Sequence, residues 1–81
     1  MGRRITKPIR YEQHAHLRMA QRFVRTNQVE AAIADPHERR AAKRPGAIRI
    51  VHRMNASATL NVIIEETATF IRVVTVWVAK T

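Results

Sequence analysis

The spacing of apolar residues changes before the middle of this chain of 81 residues. Up to residue 34, apolar positions recur every three or four residues, as on amphipathic helices, whereas beyond His37 they alternate with polar positions, as on strands. The first helix is predicted to begin at Glu12 or Gln13 and to run to about Val24. The buried stripe of this helix is predicted to contain Ala15, Met19, Ala20 and Phe23.

A second helix is predicted over residues 28–34, soon after the first. Asn27 should cap this helix, and Glu30, three residues later, should reach back to it in a capping box. Proline disfavours the helical conformation of the residue before it, so Asp35-Pro36 should end the helix. The short connection between the two helices implies that their apolar stripes share one core.

Alternation then predicts a series of strands joined by short turns. The predicted strands cover residues 38–43, 47–54, 60–66 and 69–79, the first of them weak, charged and at a sheet edge. Residues 9–11 also alternate and could form a short strand. Consecutive strands with short turns make an antiparallel meander. We therefore expect an α+β fold in which two N-terminal helices pack on one face of a three- to four-stranded antiparallel sheet.

The length of the chain allows one domain. Residues 1–8 carry three cations and no apolar pattern, so they are predicted to form a basic N-terminal arm, and residues 9–81 are predicted to form the domain. The sequence contains no cysteine, which excludes disulfides, thiolate zinc sites and cysteine nucleophiles. It also shows neither a secretory signal nor an apolar run long enough to span a bilayer. We therefore expect a cytoplasmic protein.

The charge of the chain indicates a polyanionic partner. Fifteen lysines and arginines stand against six acidic residues, a formal net charge of +9. Such an excess suits RNA, DNA, an acidic protein or a membrane surface. All but three of the cations are arginines, whose guanidinium group offers a fixed fork of donors to phosphate or carboxylate oxygens.

The first predicted helix carries the clearest candidate site. His14, Arg18 and Arg22 are four residues apart, so they should form one ridge beside the buried stripe. Two guanidiniums in line with an imidazole could hold a phosphodiester and cleave it. The positive end of the helix dipole would help to keep His14 neutral, which is the form that a general base requires. The alternative is that the arginines form an ordinary solvated helix face.

The predicted sheet supplies a second set of candidates. Alternation places Arg49, Arg53 and Arg72 on the face away from the helices, and with Arg10 we assign them to nucleic-acid binding. His52 is a weaker second catalytic candidate, because alternation places it with apolar residues, where a packed histidine is the more common outcome. His14 and His16 lie on different helix faces, so no metal site is predicted.

The segment His14-Ala15-His16-Leu17-Arg18-Met19-Ala20-Gln21-Arg22, followed by Asp35-Pro36 and a strand meander, resembles a family of small proteins related to the RelE/ParE and BrnT toxins. The family pattern is His-Ala-x-x-Arg-Met-x-x-Arg, and the likeness covers about residues 9–78. The resemblance implies a RelE-like fold and RNA cleavage without a metal. It carries over His14, Arg18 and Arg22 as matching positions.

Two functions of different classes follow. The first is a toxin-like, metal-independent endoribonuclease that cleaves RNA, free or on the ribosome, through its 2′-hydroxyl and is neutralised by an acidic antitoxin-like protein. In this hypothesis His14, helped by His52, transfers protons while Arg18 and Arg22, with Arg49 and Arg53, stabilise the phosphorane. The second is a nucleic-acid-binding or partner-protein-binding module of the same fold without catalysis. Neither function needs a cofactor, and membrane binding is disfavoured because the first helix is short.

Overall fold

The structure is a computed structural model that describes residues 7–80. Most of the predicted basic arm therefore lies outside the described residues. The elements in chain order are β1 (Ile9–Tyr11), α1 (Gln13–Arg22), α2 (Thr26–Ala34), β2 (Glu38–Ala41), β3 (Ala47–Asn55), β4 (Ala58–Glu66) and β5 (Ile71–Lys80). The α+β class is confirmed, and no helix of the described part is long and apolar enough to cross a bilayer.

The five strands form one mixed sheet in the order β1-β5-β4-β3-β2. Strands β2 to β5 pair antiparallel, whereas β1 pairs parallel with β5. The predicted three- to four-stranded, wholly antiparallel sheet is thus wrong in its strand number and in one strand direction. The alternation of residues 9–11 indicates a strand but cannot indicate its partner, because β5 lies at the other end of the chain. The prediction of a charged edge strand is confirmed by β2, whose four residues are all exposed.

Both helices cover the same face of the sheet and share one core with it. Helix α1 packs on β5, and α2 packs on β3 and β4. The largest fully buried side chains of this core are Val29 from α2 and Ile50, Leu60, Val62, Ile64, Val73 and Val76 from the sheet. The opposite face, which we call the open face, carries no helix of the described chain.

The predicted buried stripe of α1 is half right. Ala15 and Met19 are buried, but Ala20 is exposed and the Phe23 side chain is 91% exposed. The helix ends at Arg22, and Phe23 takes a left-handed conformation that turns the chain out of the helical period. Val24 occupies the buried position instead.

The predicted cap of the second helix is wrong. Helix α2 begins at Thr26, and the residue before it, Arg25, donates its backbone N–H to Gln28 Oε1 at 2.8 Å. Gln28 thus accepts the hydrogen bond of the capping box that the sequence predicts for Glu30. The carboxylate of Glu30 instead lies 3.4 Å from the hydroxyl oxygen of Tyr11.

A bulge in β5 decides which side chains reach the open face. Ile63 pairs with Thr75 and Ile64 pairs with Val73, so Val74 is an extra residue without a partner in β4. Val73 and Val76 therefore both point into the core although they are three residues apart. The residue that follows them, Trp77, lines a groove on the open face, as does Val74.

Candidate nucleic-acid interface

The α1 ridge, which we define as His14, Arg18 and Arg22, forms as predicted. All three residues are exposed, because burial of Ala15 and Met19 fixes the rotation of the helix. The first and the last are eight positions apart in the sequence, so the ridge runs for about 12 Å along the helix axis at about 1.5 Å per residue.

The charges of the α1 ridge are not balanced within the described chain. Helix α1 contains no acidic residue, and no ion pair of residues 7–80 involves its arginines. Each ion pair of the described residues includes at least one residue of a strand. These pairs are Lys7–Glu66, Arg40–Glu38, Arg44–Glu65, Arg72–Glu65 and Arg72–Glu12. The ridge is therefore free to attract an external anion.

The four arginines assigned to nucleic-acid binding do share the open face. Arg49 is opposite Ile63, Arg53 is opposite Thr59, and Arg72 is opposite Glu65, three positions that alternate along one face of β4. Arg10 pairs in turn with Arg72.

Three of these four arginines, Arg10, Arg49 and Arg72, are engaged by contacts within the protein. Arg72 lies 3.2 Å from Glu65 and 3.5 Å from Glu12, so its charge is largely compensated. The guanidinium of Arg10 lies 4.8 Å from the centre of the Phe70 ring. An aromatic ring orients a cation without neutralising it, so Arg10 retains its charge.

Arg49 is held in a groove of about 430 Å³ on the open face. Its Nε donates to Asn61 Oδ1 at 3.0 Å, and its guanidinium lies 5.3 Å from the centre of the Trp77 ring. Asn61 is 1% exposed, so the acceptor of this bond is fixed by its surroundings. Because amide and ring are both neutral, Arg49 keeps its positive charge in a defined position.

His52 is not brought to the α1 ridge. It is half-buried on the helix-covered face of β3, and its Nδ1 lies 3.3 Å from the carbonyl oxygen of Asp35. Its ring centre lies 5.1 Å from that of His37. His14 belongs to α1, which packs on β5, and β4 separates β5 from the strand of His52. These two histidines therefore do not form an acid–base pair around one phosphate.

The predicted site residues are divided between the two sides of the sheet. The α1 ridge belongs to the helix layer, whereas Arg49 and Arg53 lie on the open face, so they cannot act together with His14 on one phosphodiester. Helix packing on a single face causes this separation. Within residues 7–80 no group of three or more histidines or acids is placed to hold a metal ion.

Tyr11 fixes the start of α1 against α2. Its hydroxyl lies 3.4 Å from both Glu30 Oε2 and the carbonyl oxygen of Thr26, and its ring centre lies 5.4 Å from that of His16. Burial, followed by the negative charge of Glu30 and their hydrogen bond, raises the pKa of Tyr11 to about 12. This contact joins the strand before the ridge to the helix after it.

Tyr11 is the one tyrosine of the sequence, so its pKa can be measured directly from tyrosinate absorbance. We expect a midpoint near pH 12 in the folded protein and near pH 10 in denaturant. Since the folded state keeps the proton longer, the contribution of Tyr11 to stability should be fully present below about pH 10 and should be lost as the pH rises towards 12. Glu30→Gln should lower the pKa of Tyr11 only in part, because burial is the larger cause. Identical midpoints in folded and denatured protein would contradict the contact.

The sequence matches the model of one protein family, described as a domain of unknown function (DUF4258), over residues 11–78. The match includes the α1 ridge, both helices and the open face except for Arg10. No curated protein and no solved structure matches the chain. These comparisons do not link the chain to the RelE/ParE or BrnT toxins.

Proposed function

The chain belongs to the DUF4258 family, and because that family is described only as a domain of unknown function, we propose a function from the geometry of this chain. In this proposal the chain is an RNA-binding module that holds the phosphates of a single strand on the α1 ridge. The observation that carries this proposal is that Arg18 and Arg22 are aligned on one exposed helix face without a carboxylate partner in the described chain, whereas Arg40, Arg44 and Arg72 of the sheet and its turns are ion-paired.

The chemistry of the ridge favours phosphate. Each guanidinium can donate two parallel hydrogen bonds to one phosphate, and the exposed position of Arg18 and Arg22 leaves both forks accessible. A flexible single strand can place successive phosphates along the ridge, whereas a duplex would have to admit α1 into one of its grooves. An acidic protein of the antitoxin kind would be attracted by the same cations and would compete with RNA.

The test compares two variants that each lose two positive charges. Arg18→Gln/Arg22→Gln removes the cations of the ridge, whereas Lys43→Gln/Lys80→Gln removes two exposed cations that lie outside it. Binding of a labelled single-stranded RNA is measured for both. Selective loss in the ridge variant supports the proposal, and equal loss in both variants would reduce it to unspecific attraction by net charge.

Cleavage of the bound RNA is a second candidate function, favoured by the position of His14. The imidazole is exposed one helical turn before Arg18, so a phosphate bound by Arg18 would lie close to a group that can accept a proton. His14 would take the proton of the 2′-hydroxyl, and the 2′-oxygen would attack phosphorus. The P–O5′ bond would break, giving a 2′,3′-cyclic phosphate and a 5′-hydroxyl that receives its proton from water.

RNA cleavage in EDTA tests this candidate with His14→Ala beside the wild type. If His14 is the base, wild type cuts the RNA, and the variant is slower by about 100-fold or more with unchanged RNA affinity. RNA that stays intact while binding remains salt-sensitive would leave the chain a binding module. The same pair incubated with ribosomes carrying messenger RNA determines whether cleavage depends on the ribosome.

A further inference from the structure

Phe23 combines two features that are unusual for a phenylalanine. Its side chain is 91% exposed, and its backbone is in the left-handed region at φ 56° and ψ 36°. The backbone serves the end of α1: Phe23 donates its N–H to the carbonyl oxygen of Ala20 at 3.4 Å, and Val24 donates to that of Met19 at 2.9 Å. Helices commonly end in this way, but the left-handed position is usually taken by glycine.

Neither feature requires a phenylalanine for the fold of the described chain. A bulky side chain is disfavoured in the left-handed conformation because its Cβ crowds the following carbonyl. Its exposed ring also contributes little to the hydrophobic core. Glycine would end α1 with less strain and would expose less apolar surface. A strained residue at an exposed position is a reason to look for a function of its side chain.

The surroundings of Phe23 are basic. It directly follows Arg22, the last residue of the α1 ridge, and it precedes Arg25 by two positions. The sequence contains no acidic residue between Glu12 and Glu30. Aromatic rings among cations are typical of proteins that bind single-stranded nucleic acid, since the cations bind phosphates while the rings stack on bases.

We propose that Phe23 is a stacking platform for an unpaired base of the RNA whose phosphates lie on the α1 ridge. This inference rests on the proposed function and adds that the strand must present an unstacked base at the end of α1. RNA is favoured over a protein partner because exposed apolar residues of comparable size are few: among residues 7–80 only Leu17, at 55%, joins Phe23 as a large exposed hydrophobic residue. The cations around the ring instead suit a nucleotide.

Phe23→Gly separates the role of the backbone from that of the ring. Glycine relieves the strain of the left-handed position, so the thermal midpoint should rise by several degrees, about 4–8 °C in a domain of this size. The affinity for a single-stranded RNA should fall about tenfold, since loss of one base–aromatic stack weakens binding to this extent. A variant that becomes more stable while it binds more weakly cannot owe the weaker binding to unfolding.

Three further measurements complete the test. Phe23→Trp should retain single-strand affinity, whereas Phe23→Leu should lose most of the gain from stacking. Binding to an RNA duplex of the same sequence should change little in Phe23→Gly, because paired bases are already stacked. Unchanged single-strand affinity in Phe23→Gly would overturn the platform, and so would full affinity in Phe23→Leu, which would indicate an apolar contact of the kind made by a protein.

The outcomes also separate this inference from the proposed function. If Arg18→Gln/Arg22→Gln weakens RNA binding and Phe23→Gly does not, the ridge binds phosphate but the ring does not stack. If neither variant changes the affinity, RNA does not bind here and both proposals are wrong. If Phe23→Gly weakens single-strand and duplex binding equally, the end of α1 positions Arg22 and the stacking role is overturned.

Discussion

Leu60→Ala is expected to lower the free energy of unfolding by about 3 kcal/mol, the largest stability effect that we predict for a single substitution. Leu60 is fully buried on β4, where its neighbours across the sheet are His52 on β3 and Val78 on β5. The central position of β4 and the packing of α2 on it prevent collapse of the cavity that alanine would leave. Since a domain of this size has a stability of about 4–12 kcal/mol, the loss is a large part of the total.

The natural control is Leu17→Ala, which makes the same chemical change at the one other leucine of the sequence. Leu17 is 55% exposed on α1, and alanine is a good helix former, so the effect should remain within about 0.5 kcal/mol. Denaturant unfolding of both variants measures the difference. Similar losses in the two would mean that β4 does not lie at the centre of the core.

The sequence best predicts the strands along which apolar and polar residues alternate. Strands β3, β4 and β5 end within two residues of their predicted limits, because one of their faces meets the helices. The burial pattern repeats every two residues in β3 and β4, whereas the bulge at Val74 interrupts it in β5. The parallel pairing of β1 is different. Ile9 pairs with Ile71, and three alternating residues contain no information about a partner so distant in the sequence.

The end of α1 shows how one residue can break a correct pattern. Residues 15, 19 and 23 have helical spacing, yet the helix stops at Arg22 and Val24 takes the buried position. No glycine follows Arg22 to indicate a left-handed cap, so the sequence gives no conventional signal for this end. The exposure of Phe23 follows from its backbone conformation and could not be predicted from hydrophobicity.

The candidate site could be predicted in part for a similar reason. Helical periodicity alone predicts the α1 ridge, because its three residues are in one element. Which arginines are neutralised depends on contacts between distant segments, such as Arg72 with Glu12 and Arg44 with Glu65. The separation of His14 from His52 likewise depends on which strand each helix covers.

Arg18→Gln/Arg22→Gln is expected to weaken the binding of single-stranded RNA by about 25-fold at 0.1 M salt. Each phosphate contact of a single strand releases about 0.7 of a counterion, so two contacts contribute about 1.4 to the slope of log affinity against log salt. Over the one decade between 0.1 M and 1 M salt, that slope corresponds to a ratio of about 25 between the affinities of wild type and variant. The two affinities should become equal near 1 M salt. Affinity measured across a salt series therefore tests the number of contacts as well as their existence.

The salt slope also decides whether the ridge or the total charge of the chain binds the RNA. The ridge variant should have a slope lower by about 1.4, whereas Lys43→Gln/Lys80→Gln, with the same net charge, should keep nearly the wild-type slope. Loss of Arg22 from the last turn of α1 also removes a favourable interaction with the helix dipole of about 0.3–1 kcal/mol. The folded fraction of the variant is therefore checked by circular dichroism at each salt concentration. A ridge variant that is folded and keeps the wild-type slope would show that the phosphates lie elsewhere, and the unpaired charges of α1 would then be an ordinary solvated helix face.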